Sequence, residues 1–127
     1  MEFIGFCFYR SYEHLQKFAI LLSEGGDGKS TFFNWLREMI GADNTSTVRL
    51  SELTNPERRF ALARLYTKLL NYYADIGNSL IIDPSLIKGI TGDDAIDVEN
   101  KGESAQTIKP FAKQIFGANR LPSFKDT

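Results

Sequence analysis

The chain has 127 residues, a formal net charge of −1, one cysteine and one histidine. That length suits one domain with a real core, and the ordinary apolar content excludes a disordered or fibrous chain. The near-balanced charge excludes a surface coated with basic residues for duplex DNA, while Cys7 and His14, each alone, exclude an internal disulfide and a zinc site of the usual Cys/His kind.

The N-terminal stretch MEFIGFCFYRSYEH is aromatic but carries Glu2, Arg10 and Glu13, with no basic start and no small-residue cleavage site, so no signal peptide is expected. No stretch approaches the roughly 20 apolar residues that cross a bilayer, and no membrane partner is expected. The unpaired thiol fits a reducing, cytoplasmic setting. FAILLS (18–23) is a short apolar run predicted to be a buried strand. It runs into SEGGDGKST (23–31). TFFNWLREMIG then places Phe32, Phe33, Leu36, Met39 and Ile40 on one predicted helical face, with Gly41 set to end the helix. ADNTST is a polar connection, and VRLSEL (48–53) is expected to be a second strand. Pro56 suits the first turn of a helix reaching about Tyr66, with Phe60, Leu62, Leu65 and Tyr66 apolar.

KLLNYYADI (68–76) is another apolar run and delivers a lone acid, Asp75, near its end. SLIIDPSLIKGITG is predicted helical after Pro84, stopping at Gly89 or Gly92. DDAIDVENKGESAQTIKP alternates about a central NKGES turn, as a β-hairpin does. AKQIFGAN (112–119) is a last strand ending in Asn119, and LPSFKDT trails off. The alternation of strand and helix predicts an α/β fold with a parallel sheet. Phe32, Phe33, Trp35, Phe60, Tyr66, Tyr72 and Tyr73 are assigned to the core.

The stretch 23–31 matches G-x-x-x-x-G-K-[ST] except at Ser23, which stands where the first glycine belongs. In such a loop successive backbone N–H groups face one concavity, and the following helix adds its positive end. Gly25, Gly26, Asp27, Gly28, Lys29, Ser30 and Thr31 are therefore the candidate nucleotide-binding residues. Lys29 would reach the β- and γ-phosphates, and Ser30 would ligate Mg²⁺. The plainer alternative is a solvated glycine turn opening a helix. Asp75, at a strand end, would hold a water on the same ion; the alternative is an acid bonded to its own loop. Ala74 and Ile76 flank it, so no second acid marks the group that activates water. Asn119 would touch the γ-phosphate or attacking water, or simply form a turn. Lys101, at the hairpin tip with Lys109 and Lys113 nearby, would grip a nucleic-acid phosphate or serve as a solvated charge.

Taken in order, these motifs resemble the superfamily 3 helicases, most closely the helicase domain of phage, plasmid and poxvirus-type primase-helicases. The resemblance runs from about Ile4 to Thr127. IGFCFYRSYEHLQKFAILLSEGGDGKSTFFNWLREMIG is similar to the family's leading helix, first strand and phosphate loop. KLLNYYADI is similar to its second motif, LIKGITGDDAIDVENKG to the segment bearing the DNA-contacting hairpin, and IFGANRLPSFKD to the last motif. The resemblance implies a P-loop NTPase core of AAA+-like type with an inserted β-hairpin. It implies ATP and Mg²⁺ as ligands and Lys29, Asp75 and Asn119 as the catalytic group. It also implies a ring, usually a hexamer, that draws single-stranded DNA past Lys101, and a primase domain in the same polypeptide. Gly102 follows Lys101 where relatives carry an aromatic or His. The family's arginine finger lies beyond the last motif, so residues 1–127 are expected to be one incomplete helicase domain that binds nucleotide with little hydrolysis. A monomeric P-loop kinase or other phosphotransferase, and an inactive prophage remnant, are the competing expectations.

Overall fold

The computed structural model describes residues 7, 18–23, 28–53, 59–77, 81–82, 96–98, 106–120 and 123–124. Its elements, in chain order, are β1 (Ala19–Leu22), α1 (Lys29–Ile40), a 3-10 turn (Ala42–Asn44), β2 (Thr45–Ser46), α2 (Leu50–Leu53), α3 (Arg59–Ala63), β3 (Leu70–Tyr73), β4 (Ile81–Ile82), β5 (Ile96–Val98), β6 (Gln106–Ile108), β7 (Lys113–Ala118) and β8 (Ser123–Phe124). The main sheet has the order β1-β7-β3-β2 and every pair in it is parallel. The strand of this sheet that comes last in sequence, β7, thus lies between β1 and β3. Leu22 pairs with Ala118, and Tyr73 with Phe116, so the carboxyl ends of β1, β7 and β3 finish along one edge.

Alternation along β7 divides the core. Ile115 joins Phe33, Leu36 and Ile40 of α1 with Leu69, Leu70 and Cys7, whereas Phe116 joins Val48, Leu50, Leu53, Leu62 and Leu65. Side chains of a strand alternate between faces, so helices cover both sides of the sheet. Phe33 stacks on Tyr72 at 5.5 Å between ring centroids, tying α1 to β3. Burial of Cys7 pushes its thiol up to about 11, partly offset by the nearby Lys113 charge. The thiol is therefore neutral at physiological pH, as a core residue must be.

Gly117 is where the chains approach most closely. A β-carbon there would collide with the Ala74 carbonyl and lie 3.0 Å from the Phe33 ring. Gly117→Ala is expected to destabilise the chain by about 1–3 kcal/mol, because backbone cannot yield as a flexible side chain can. Urea unfolding measures this; an unchanged midpoint would contradict the packing described.

Polar side chains cross this sheet in a row. Ser46, Asn71 and Gln114 are register partners on β2, β3 and β7. Asn71 Oδ1 accepts from Ser46 Oγ and from the Val48 amide, each at 2.8 Å. Its Nδ2 donates to the Val48 carbonyl at 3.1 Å and to Gln114 Oε1 at 2.8 Å. Gln114 Nε2 donates in turn to the Ala112 carbonyl at 3.0 Å. Asn71 and Gln114 are fully buried, and this row gives each of them partners.

That row corrects the expected strand over 48–53. The strand is Thr45–Ser46, inside the stretch read as a connection, because the Asn71 side chain takes both backbone groups of Val48 and ends the ladder there. Arg49's carbonyl then accepts from the amides of Glu52 and Leu53, starting α2 and burying Leu50 and Leu53. Within α1 the buried face is Phe33, Leu36 and Ile40; Phe32, Trp35 and Met39 form a neighbouring exposed stripe, with Trp35 43% exposed. The expected helix reaching Tyr66 is helical over Arg59–Ala63 and then tightens into i→i+3 turns. Thr67 takes a positive φ of 65° and Tyr66 turns outward, 52% exposed. Phe32, Trp35 and Tyr66 are therefore not core residues. Lys113, grouped by sequence with the hairpin charges, is buried in β7 and donates to the Phe111 carbonyl at 2.7 Å. The tail does not merely trail off, since Ser123–Phe124 pairs in parallel with Ile81–Ile82. The hairpin is present as antiparallel β5 and β6, with Asp97 opposite Thr107. The helix expected after Pro84 lies outside the described residues, as do His14 and Lys101.

Candidate functional site

Three strand ends meet at the carboxyl edge of a parallel sheet, where α/β folds place their ligands. At the first, the Ser23 amide donates to the Ala118 carbonyl at 3.0 Å, carrying the β1–β7 ladder one residue further. Gly28 adopts φ 90°, a left-handed conformation open to glycine at little cost, and its carbonyl accepts the first helical bond from the Phe32 amide. Lys29 therefore opens α1 and Ser30 follows in the first turn, where free amide groups and the helix dipole favour an anion. Gly25, Gly26 and Asp27 lie outside the described residues.

Lys29 Nζ donates to Asn119 Oδ1 at 2.6 Å and to the Ser23 carbonyl at 3.5 Å. The structure thus brings together Lys29 and Asn119, 90 residues apart in sequence. Both Lys29 partners are neutral oxygens, so its charge is oriented without being neutralised by an acid among them. Ser30 and Thr31 are exposed at the head of α1. Ser23 Oγ is a buried side-chain oxygen with no hydrogen-bond partner among the described residues. A buried hydroxyl left so is uncommon, and it lies where the loop leaves the strand.

Asp75 follows β3 at the same edge and is exposed. Its Oδ1 accepts from the Gly77 amide at 3.0 Å, so the loop-bonding alternative is met by one oxygen, and the other has no partner among the described residues. Among the described residues there is no group of three or more His, Cys, Asp or Glu able to hold a metal. One carboxylate and one hydroxyl fit Mg²⁺ that arrives with phosphate oxygens and keeps several waters, and do not fit an ion caged by protein alone.

Sequence reasoning missed a cleft of about 400 Å³ beside Asp75, lined also by Arg49, Ser51, Tyr73 and Ile76. Arg49 Nε donates to the Tyr73 hydroxyl at 2.9 Å, and the guanidinium carbon lies 5.2 Å from the Tyr73 ring centroid. Reading 48–53 as a strand hides this residue; its signal is an arginine shortly after a strand that ends at Ser46. Among the described residues no helix is long and apolar enough to cross a membrane.

A family model described as "Family of unknown function (DUF5906)" matches residues 21–127. No curated protein matches the chain. Among solved structures, the A form apo structure of the NrS-1 C-terminal region aligns with a TM-score of 0.68 at 22% identity, covering 95% of this chain and 29% of that one. A second apo structure of the NrS-1 C-terminal region aligns with a TM-score of 0.64 at 20% identity, over 92% of this chain and 29% of that one. This chain thus spans under a third of the length of these structures, and the likeness is one of fold.

Proposed function

Because the chain belongs to the DUF5906 family, which carries no assigned function, its site must supply the reading, and we propose that it is the ATP-binding core of a ring-forming replicative DNA helicase. The observation that carries the nucleotide part is the 2.6 Å contact between Lys29 Nζ and Asn119 Oδ1 at the carboxyl edge of the sheet. It supports a P-loop NTPase reading because a lysine at a helix start, held among the described residues by two neutral oxygens, is set to receive phosphate. The insertion of β7 between β1 and β3 supports the same reading, since Asn119 follows the strand that lies between those leading to Ser23 and to Asp75.

In this proposal Gly25 to Thr31 wrap the phosphates, Lys29 binds the β- and γ-phosphates, and Asn119 orients the terminal one. Ser30 and Asp75 would hold Mg²⁺, whose chemistry is to draw charge from the phosphate oxygens. Coupling to DNA, the ring and a primase partner rest on the sequence resemblance and on the β5–β6 hairpin that carries Lys101.

The test is isothermal titration of the 127-residue chain with ATP, with and without Mg²⁺. Asp75→Asn is expected to abolish most of the Mg²⁺-dependent gain in affinity and to leave binding in EDTA within about twofold, since Asp75 acts through the ion. A variant that keeps the full Mg²⁺ gain would remove Asp75 from the site. Lys101→Ala should weaken binding of a single-stranded oligonucleotide, more so at low salt.

A further inference from the structure

Arg49 stands at the exit of β2, next to the exit of β3 that carries Tyr73 and Asp75. Its Nε is occupied by the Tyr73 hydroxyl at 2.9 Å, and its head lies over the Tyr73 ring. Both contacts fix the plane of the guanidinium; among the described residues its terminal nitrogens have no partner and no acid pairs with it. The side chain is exposed at the rim of a cleft of about 400 Å³ that Asp75 also lines. A guanidinium held at Nε offers a preformed fork for two oxygens of one oxyanion, and little ordering remains to be done when the anion arrives.

The same cleft carries a contradiction for a bare anion. Asp75 lines it, and a carboxylate repels a second negative charge at such range. An oxyanion can share the cleft only when a divalent cation meets the carboxylate. We propose that Arg49 binds an oxygen of the nucleotide's terminal phosphate, and that it does so only in the Mg²⁺ complex, with Tyr73 as the residue that positions its fork. This inference rests on the nucleotide reading of Lys29 and Asp75 and adds to it the group that distinguishes a triphosphate from a diphosphate.

The experiment measures binding of ATPγS and ADP to the 127-residue chain, each with Mg²⁺ and with EDTA. It compares wild type with Arg49→Ala, Arg49→Lys, Tyr73→Phe and, as reference, Lys29→Ala. Arg49→Ala is expected to weaken Mg·ATPγS by about 10- to 100-fold, the worth of a charged hydrogen-bond pair, while Mg·ADP stays within about twofold. In EDTA the variant and wild type should agree. Arg49→Lys keeps the charge without the fork and should recover only part of the loss; Tyr73→Phe should lose part of the discrimination with the arginine intact. Should Arg49→Ala weaken both nucleotides alike, or neither, while Lys29→Ala abolishes binding, the Arg49 assignment is overturned and the nucleotide reading survives. Absence of nucleotide binding by wild type overturns both.

Discussion

Replacing Asn71 by alanine is expected to destabilise the chain by roughly 3–5 kcal/mol, since each buried group left without its partner costs about 1–3 kcal/mol. The groups concerned are the Val48 amide, the Val48 carbonyl and Gln114 Oε1, all bonded to the Asn71 side chain inside the sheet. A domain of this size holds about 5–15 kcal/mol in total, so the variant should unfold at much lower urea. Ser46→Ala provides the contrast. It removes one donor to Asn71 Oδ1, which still accepts from the Val48 amide, and should cost only about 1 kcal/mol. Equal effects from the two substitutions would mean that the row across β2, β3 and β7 is not the element that sets the register.

Removing the Lys29 amine should have the largest effect on ligand binding. Lys29→Ala is expected to weaken Mg·ATP by about 10- to 100-fold or more, the worth of a charge-assisted bond to phosphate. The reason lies in its partners. Asn119 Oδ1 and the Ser23 carbonyl hold Nζ in place, and neither is a carboxylate that would have to be displaced before phosphate binds. Lys29→Arg tests position against charge, because the longer planar head cannot occupy the 2.6 Å contact in the same way. Lys29 is at the surface end of α1, so its loss should leave the thermal midpoint nearly unchanged. An alanine variant that binds Mg·ATP as tightly as wild type would reduce the glycine loop to a turn.

Much of this edge is legible in the residues. FAILLS and AKQIFGAN are short apolar runs that read as strands, although only β7 is buried throughout and β1 is partly open, with Leu22 53% exposed. Gly28 followed by Lys29 marks the helix start by backbone chemistry alone. Gly41 ends α1 where expected, its amide donating to the Arg37 carbonyl at 2.8 Å. Strand order is not legible, because nothing local states that β7 pairs with both β1 and β3. The Val48–Leu53 error has the same origin. Val, Arg and Leu have good strand propensity, but the Asn71 amide competes for the Val48 backbone, and that competitor is 23 residues away. Phe32, Trp35 and Tyr66 read as core because aromatic residues usually bury their rings, yet α1 has one covered face and leaves Phe32 and Trp35 outside it, and Tyr66 stands in the turn beyond α3. Asn71 and Gln114 carried a usable signal, being polar residues within otherwise apolar strands.

The placement of β7 has a consequence for synthesis. Ala19 and Leu22 meet Ile115 and Ala118, so the middle of the sheet is completed only after Ala118 has left the ribosome, long after β1. Until then β1 and β3 have no neighbour between them, and their apolar edges stand open as the chain grows. Loop closure over such a span is slow, and parallel pairing of distant segments is slower still. The lysine at the head of α1 thus acquires its asparagine only in the closing step, and a nascent chain halted before residue 113 would carry Gly28 and Lys29 with no finished sheet beneath them.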